Sequence, residues 1–268
     1  MDLNLKAKEI RRGIITCIGS LGTGHIGGAL SMAEVLAALY FKHMNIDPKN
    51  PKMEGRDRLV VSKGHSGPAV YAALAERGFF PKSELLTLNQ AGTNLPSHCD
   101  MNRTPGVDMT TGSLGQGFSC ATGVAKASLL RGDGATIYTI IGDGESQEGQ
   151  IWEAAMFAAH HKLGNLIAFT DNNRYQIDGS VADVCGIEPL DKKWEAFGWN
   201  VITVDGHDAD KVDAAITAAK KIKNGKPAMI ILKTIKGKGV SFIEAAQIVN
   251  HNMTLNKEQV ETALKELA

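Results

Sequence analysis

Thr136-Ile137-Tyr138-Thr139-Ile140-Ile141-Gly142-Asp143-Gly144 and Leu166-Ile167-Ala168-Phe169-Thr170-Asp171-Asn172-Asn173-Arg174-Tyr175 decide how this chain folds. Each opens as an apolar, β-branched run of the kind that makes a strand buried on both faces. Each closes on acidic or amide residues. Between them Trp152, Ala155, Met156 and Ala159 recur at helical spacing, so the stretch reads as strand, helix, strand. Such a crossover makes its two strands parallel, and both polar clusters then emerge at one carboxyl edge, where open α/β sheets bind ligands.

Asp143 offers a carboxylate there, Asn173 a side-chain carbonyl, and the turn after Asn173 a backbone carbonyl. Those are hard oxygen donors. Mg²⁺ takes such a set and fills its remaining octahedral positions with water and phosphate oxygens, so a magnesium-bound phosphate compound is implied. Gly-Asp-Gly alone is a common turn, because glycine supplies positive φ and Asp bonds its own backbone. Its placement at the end of one strand, with Asn172-Asn173 at the end of the next, makes the pattern specific.

The rest of the chain builds outward from this unit. Leu59-Val60-Val61, Val201-Ile202-Thr203-Val204-Asp205 and Ala228-Met229-Ile230-Ile231-Leu232 read as three further strands. Helical patterns over Leu3 to Leu21, Pro68 to Arg77, Phe118 to Leu130, Lys211 to Lys223 and Glu258 to Leu267 alternate with them. Ser31-Met32-Ala33-Glu34 has the form of a capping box opening another helix. Strands alternating with helices predict an α/β fold: a doubly wound, mostly parallel sheet flanked by helices. The long aperiodic loop from Asn89 to Gly117 has the character of a functional segment. No internal repeat is present.

Composition narrows the function. With 268 residues the chain has ample material for one large α/β domain or two small ones. Lys+Arg and Asp+Glu are both 29, which argues against a nucleic-acid partner. Cys17, Cys99, Cys120 and Cys185 lack C-x-x-C or zinc spacing and read as reduced thiols, which with the absence of an apolar targeting run gives a cytoplasmic expectation and no membrane contact. Gly22-Thr23-Gly24-His25-Ile26-Gly27 fits the G-x-G-x-x-G expression, but a helix rather than a strand leads into it, so a dinucleotide fingerprint is rejected. No Walker A sequence exists. Lys233-Thr234-Ile235-Lys236-Gly237-Lys238-Gly239 reads either as a basic lip on the same edge or as a solvated loop.

Gly24-His25, Ser62-Lys63-Gly64-His65, Thr104-Pro105-Gly106-Val107-Asp108, Thr111-Gly112-Ser113-Leu114-Gly115-Gln116-Gly117 and Gly142-Asp143-Gly144 with Asn172-Asn173 together resemble the thiamine diphosphate-dependent transketolases. The resemblance runs over nearly the whole chain and is to the split form, whose diphosphate-binding half is a separate polypeptide. It implies the thiamine diphosphate-binding (PP-type) fold as a single domain over residues 1 to 268. It further implies Asp143, Asn173 and the carbonyl of Tyr175 as Mg²⁺ ligands, Gly144 and His65 against the diphosphate, Gly112, Ser113 and Leu114 along the rings, and Ile177 on the thiazolium. His25 and His98 would bond the hydroxyls and carbonyl of a ketose. His251 lacks the aromatic and Gly neighbours of the family histidine and is a candidate beside them. Ser113 stands where full-length members carry Pro, and Cys99 where Pro often follows the histidine, which raises the expectation that Cys99 alters the substrate pocket. His43, His160 and His161 are expected to be structural.

The implied activity is transfer of a two-carbon glycolaldehyde unit from a ketose phosphate to an aldose, as in pentose phosphate metabolism. The cofactor supplies the electron sink for C–C cleavage, and histidines titrating near neutrality suit the proton transfers. A pyrimidine-binding domain with the activating Glu is missing, so the expected assembly is an α₂β₂ heterotetramer with a partner subunit. Two alternatives are the α subunit of a thiamine-dependent 2-oxo acid dehydrogenase, which also carries Gly-Asp-Gly and Asn-Asn-Arg-Tyr, and a non-catalytic phosphate-binding regulator, which fold alone does not exclude.

Overall fold

The computed structural model describes residues 1–268. Its centre is a five-stranded sheet of β1 (Arg58–Val61), β2 (Ile137–Gly142), β3 (Leu166–Asn172), β4 (Asn200–Asp205) and β5 (Ala228–Lys233). The spatial order is β1-β2-β3-β5-β4, with every pair parallel. The five strands are those read from the sequence. Parallel pairing requires helical crossovers, and these cover both faces.

Alternate strand residues feed two separate cores. Tyr138, Ile140, Ile167, Phe169, Ile230 and Leu232 face one, together with α1 (Leu3–Leu21), α2 (Ala33–Ala38), α3 (Gly67–Arg77) and α7 (Ala209–Lys221). Ile137, Ile141, Ala168, Met229 and Ile231 face the other, under α4 (Gln116–Arg131), α5 (Gly149–His160) and α6 (Leu190–Ala196). A final helix, α8 (Lys257–Glu266), opens on a true capping box formed by Asn256 and Gln259.

α1 shows why the sequence folds as it does. Asp2 caps it by accepting from the Asn4 and Leu5 N–H groups, and Gly22 closes it at φ 82°, a conformation that favours glycine. Ile10, Ile14 and Ile18 form its fully buried stripe, each contributing roughly 1.5–3 kcal/mol of burial free energy. Gly13 lets α1 approach α3: a Cβ there would stand 2.8 Å from the Ala72 Cβ.

One local expectation fails. Ser31 and Glu34 form no capping box; α2 is preceded by Met32, which makes no side-chain cap. Ser31 Oγ instead donates to Asp171 Oδ2 at 2.6 Å, and Glu34 accepts from the Arg11 guanidinium at 2.7 Å. Buried charged partners outcompete a local cap because charge-assisted hydrogen bonds are roughly twice as strong as neutral ones.

The segment from 88 to 115 carries no regular helix or strand, as its composition predicts. It is nonetheless fastened over the end of β1, with Thr111 Oγ1 donating to Val61 O at 2.7 Å and the Thr111 N–H to Cys99 O at 3.1 Å. Gly64 is needed where this segment crosses, since a Cβ there would lie 2.3 Å from Thr111 O.

Candidate active site

The parallel register decides which side chains meet. Gly142 pairs with Asp171, and the Asp143 N–H donates to Asp171 O at 3.2 Å, so the two polar strand tips lie side by side. Arg174 adopts φ 69°, a left-handed turn that costs a non-glycine residue about 1–2 kcal/mol. That turn aims the Arg174 N–H at Asp143 Oδ2, while Gly144 N–H donates to Asp143 Oδ1 at 2.8 Å. Asn173 Oδ1 accepts from the Tyr175 N–H at 3.1 Å, and Tyr175 O accepts from Lys236 Nζ at 3.4 Å. The three oxygens expected from the sequence therefore belong to one turn and the strand tip beside it.

Asp143 is only 2% exposed and makes no ion pair. Burial, and then the neighbouring charge of Asp171, push its carboxyl up to about 7 against the pull of two backbone donors and Lys63. A cation placed beside it would return it to the anionic form.

Asp143, Gly144, Asn173, Tyr175 and Ile177 share a cleft of about 330 Å³ with Gly112, Leu114 and four histidines. The imidazoles of His25, His65, His98 and His251 cluster there. Ring centres are 5.1 Å apart for His65 and His251, 5.3 Å for His25 with either His65 or His251, and 5.6 Å for His25 and His98. His251, with atypical sequence neighbours, is thus part of the group. Burial lowers all four pKa values, most for His65, where Lys63 and the other imidazoles add to it. His251 falls to about 4, through burial and then Lys236 and His25. Neutral imidazoles at pH 7 can each donate at one nitrogen and accept at the other.

Ser113 is the predicted residue that the structure leaves outside: it is exposed and does not line the cleft, although Gly112 and Leu114 on either side do. Ile177 stands on the rim, 61% exposed. Cys99 is buried and does not itself line the cleft, although its neighbour His98 does. His43 is engaged with Asp213 at 2.7 Å, away from the site.

Several lining or supporting residues escaped the sequence reading. Lys236 is one: the Lys-rich segment is not a solvated loop there, for Lys236 is 3% exposed with Nζ 3.3 Å from His251 Nδ1. Burial, helped by Lys63, lowers its ammonium to about 8 while Asp143 and Asp171 hold it up. Lys63 reaches Gly28 O at 2.8 Å and Asp171 Oδ2 at 2.5 Å. Burial works against the Asp171 carboxylate, but Lys63, Ser31 and Thr234 outweigh it and hold its pKa below the usual range. Glu145 accepts from Ser62 Oγ, from the Gly115 N–H at 2.9 Å and from the Gly142 N–H at 3.0 Å, tying the turn before α4 to the end of β2. The run of lysines after the last strand was the available signal for Lys236; Asp171 and Glu145 carried none beyond adjacency to the motifs.

Residues 4–268 match the model of one protein family, the transketolase thiamine diphosphate binding domain. The chain belongs to the transketolase family. It is 58% identical over its whole length to a protein of Clostridium sp. (strain MSTE9) named 6-deoxy-6-sulfo-D-fructose transketolase subunit, covering 96% of that protein. It is 42% identical to an apulose-4-phosphate transketolase subunit of Actinobacillus succinogenes, again covering 96% of it. Rat transketolase is 37% identical, but this chain spans only 41% of its length. The solved transketolase of Leishmania mexicana superposes with a TM-score of 0.92 at 32% identity over all of this chain and 41% of the other. The fold is therefore the transketolase cofactor-binding fold, and the chain is an N-terminal transketolase subunit whose single-chain relatives carry a further portion. A transferase role follows, and the dehydrogenase and regulator alternatives are not favoured.

Proposed function

We propose that this chain supplies the diphosphate and metal half of a split transketolase that moves a glycolaldehyde unit from a ketose to an aldose. The observation that carries the reading is Asp143: a buried carboxylate without an ion pair, beside the Asn173 amide and the Tyr175 carbonyl and facing four neutral imidazoles. Hard oxygen donors of this kind fit Mg²⁺, which would restore the charge balance around Asp143. Gly144 and His65 would hold the diphosphate, with Gly112, Leu114 and Ile177 along the rings. Gly144 fits this role sterically, since a Cβ at that position would meet the Gln176 Cβ at 2.9 Å.

Thiamine diphosphate, when bound, supplies the carbon nucleophile and electron sink that two-carbon transfer requires. The chain's own contribution is to hold the sugar and move protons. His25 and His98, held neutral, accept a proton from a donor hydroxyl and return it after cleavage; His251, in the same imidazole cluster, is held by Lys236. Lowered imidazole pKa values keep the accepting form populated at neutral pH.

The single domain over 1–268 would work with a pyrimidine-binding subunit carrying the activating Glu, in an α₂β₂ heterotetramer. Four free thiols suit a reducing, cytoplasmic setting. For the donor we favour 6-deoxy-6-sulfo-D-fructose over a pentose phosphate, because identity to the subunit named for that sugar is 58% against 42% for the apulose-4-phosphate relative. The test is reconstitution with a C-terminal transketolase subunit, followed by turnover of a panel of sulfo- and phospho-ketoses. Neither chain should act by itself, and the pair should release the aldose shortened by two carbons, fastest from the sulfonated ketose. Turnover by the isolated chain, or pyruvate decarboxylation by the pair, would contradict the proposal.

A further inference from the structure

Asp171 is fully buried and does not line the cleft, yet four side chains from four segments converge on it. Its Oδ2 accepts from Lys63 Nζ at 2.5 Å, Ser31 Oγ at 2.6 Å and Asn173 Nδ2 at 3.0 Å, and its Oδ1 from Thr234 Oγ1 at 2.5 Å. Lys63 follows β1, Asp171 ends β3, Thr234 follows β5, and Ser31 precedes α2.

The contact with Asn173 has a directional consequence. A side-chain amide has a donor end and an acceptor end of nearly equal size, and only its neighbours decide which way it faces. A carboxylate can only accept, so the Asn173 nitrogen must be the end that meets Asp171. The Tyr175 backbone N–H can only donate, so the Asn173 oxygen must be the end that meets it, at 3.1 Å. Both neighbours enforce the same orientation. The amide oxygen accepts one hydrogen bond and keeps a second lone pair, while the nitrogen, which would repel a cation, is held against buried carboxylate.

We propose that Asp171 is a positioning residue that sets the orientation of the Asn173 amide and thereby the cation affinity of the cleft. The inference rests on the reading of Asp143, Asn173 and Tyr175 as cation ligands. Groups behind metal ligands commonly change metal affinity by about 10–100-fold. Through Lys63 and Thr234 the same carboxylate also ties the tips of β1, β3 and β5 to one another.

The experiment is titration of the full chain with Mn²⁺ in the presence of thiamine diphosphate, read by electron paramagnetic resonance, alongside thermal melting. Asp171→Ala is expected to weaken Mn²⁺ about tenfold or more. Asp171→Asn keeps an acceptor oxygen for the amide and is expected to stay within about threefold of wild type, although it discards the charge that pairs with Lys63. The double variant Asp171→Ala with Asn173→Ala should bind no more weakly than Asn173→Ala alone, because Asp171 acts through that amide. Equal damage from Asp171→Asn and Asp171→Ala would mark the carboxylate as a charge partner of Lys63 only and overturn the proposal; additive losses in the double variant would do the same. If Asp171→Ala does not fold, nuclear magnetic resonance of the wild-type chain decides: the Asn173 side-chain amide signals, identified by their loss in Asn173→Ala, should exchange slowly with water, and fast exchange would refute the pinning. A wild-type chain that binds no Mn²⁺ would sink the cation reading, and the amide measurement would still judge the pinning separately.

Discussion

Of the two hollows at opposite ends of the sheet, both lined by charged residues, the larger one is not the site. Around the amino end of β1 a hollow of about 720 Å³ is bordered by Lys49, Lys52, Arg56, Arg58, Arg103 and Asp108. Its principal charges close on each other: the Arg56 guanidinium binds Asp108, Arg58 lies 3.7 Å from the same carboxylate, and Asp108 Oδ2 also accepts the Leu59 N–H at 2.8 Å. The cleft at the carboxyl end, about 330 Å³, holds less than half that volume, and its charges do not close. Asp143 has no ion pair, Lys236 is lowered to about 8 by burial, and four imidazoles are driven neutral. Size reports where atoms are missing; displaced protonation equilibria report where a ligand's charge belongs.

That contrast is broken most directly at Asp143. Asp143→Ala is expected to weaken thiamine diphosphate binding in Mg²⁺ by at least about a thousandfold, some 4 kcal/mol, with the cofactor-free chain still folded; calorimetry and circular dichroism read the two halves. Binding within tenfold of wild type would mean the uncompensated carboxylate is not the cation's anchor. The opposite hollow should give the opposite pattern. Arg56→Ala leaves Asp108, whose side chain is 3% exposed, with the Leu59 N–H and, as cation, only the more distant Arg58. A loss of about 2 kcal/mol in unfolding free energy is expected, because removing one partner of a buried pair strands the other, with cofactor affinity unchanged within about twofold. If Arg56→Ala instead lowers cofactor affinity and spares stability, the two hollows have been assigned the wrong way round.

The sequence carried the skeleton of the cleft well and its supports poorly. Strand ends were legible because buried parallel strands are continuous apolar runs, so Gly142-Asp143-Gly144 and Asn172-Asn173 announce where each stops. Register then follows from burial, and with it the meeting of Asp143 and Asn173. Lys236 was legible only as one of two readings, a basic lip or a solvated loop, and Asp171 not at all, since an aspartate at a strand end looks solvated until tertiary partners are known. Ser31 misled for the same reason: Ser-x-x-Glu has a local reading, and the partners that won, Asp171 and Arg11, lie far along the chain. His251 was uncertain from its neighbours in sequence, but the chain's return past Lys236 brings its ring within 5.1 Å of His65.

The smallest effect concerns acid, and within the carboxyl-end cleft it separates His251 from Asp143 by sign. A histidine whose folded pKa is lowered binds its proton in the unfolded chain first, so its contribution to stability is complete above its ordinary 6.5 and is lost as pH falls toward the folded value. For His251 the window runs from about 6.5 down to about 4. Asp143 works in the opposite sense, since a carboxyl raised to about 7 takes up its proton in the folded state first and gains stability as pH falls toward its ordinary 3.8. The total acid limb is therefore a difference of opposed contributions, and the informative quantity is a variant's departure from wild type. His251→Asn should make the decline in melting temperature between pH 6.5 and pH 4 shallower while leaving the curve above pH 7 parallel to wild type. His43, which Asp213 holds at 2.7 Å and whose pKa burial lowers against that carboxylate, should give a smaller change when replaced by Asn. An unaltered slope in His251→Asn would mean that its ring is hydrated in solution, and the imidazole cluster would then lose the member that closes it against Lys236.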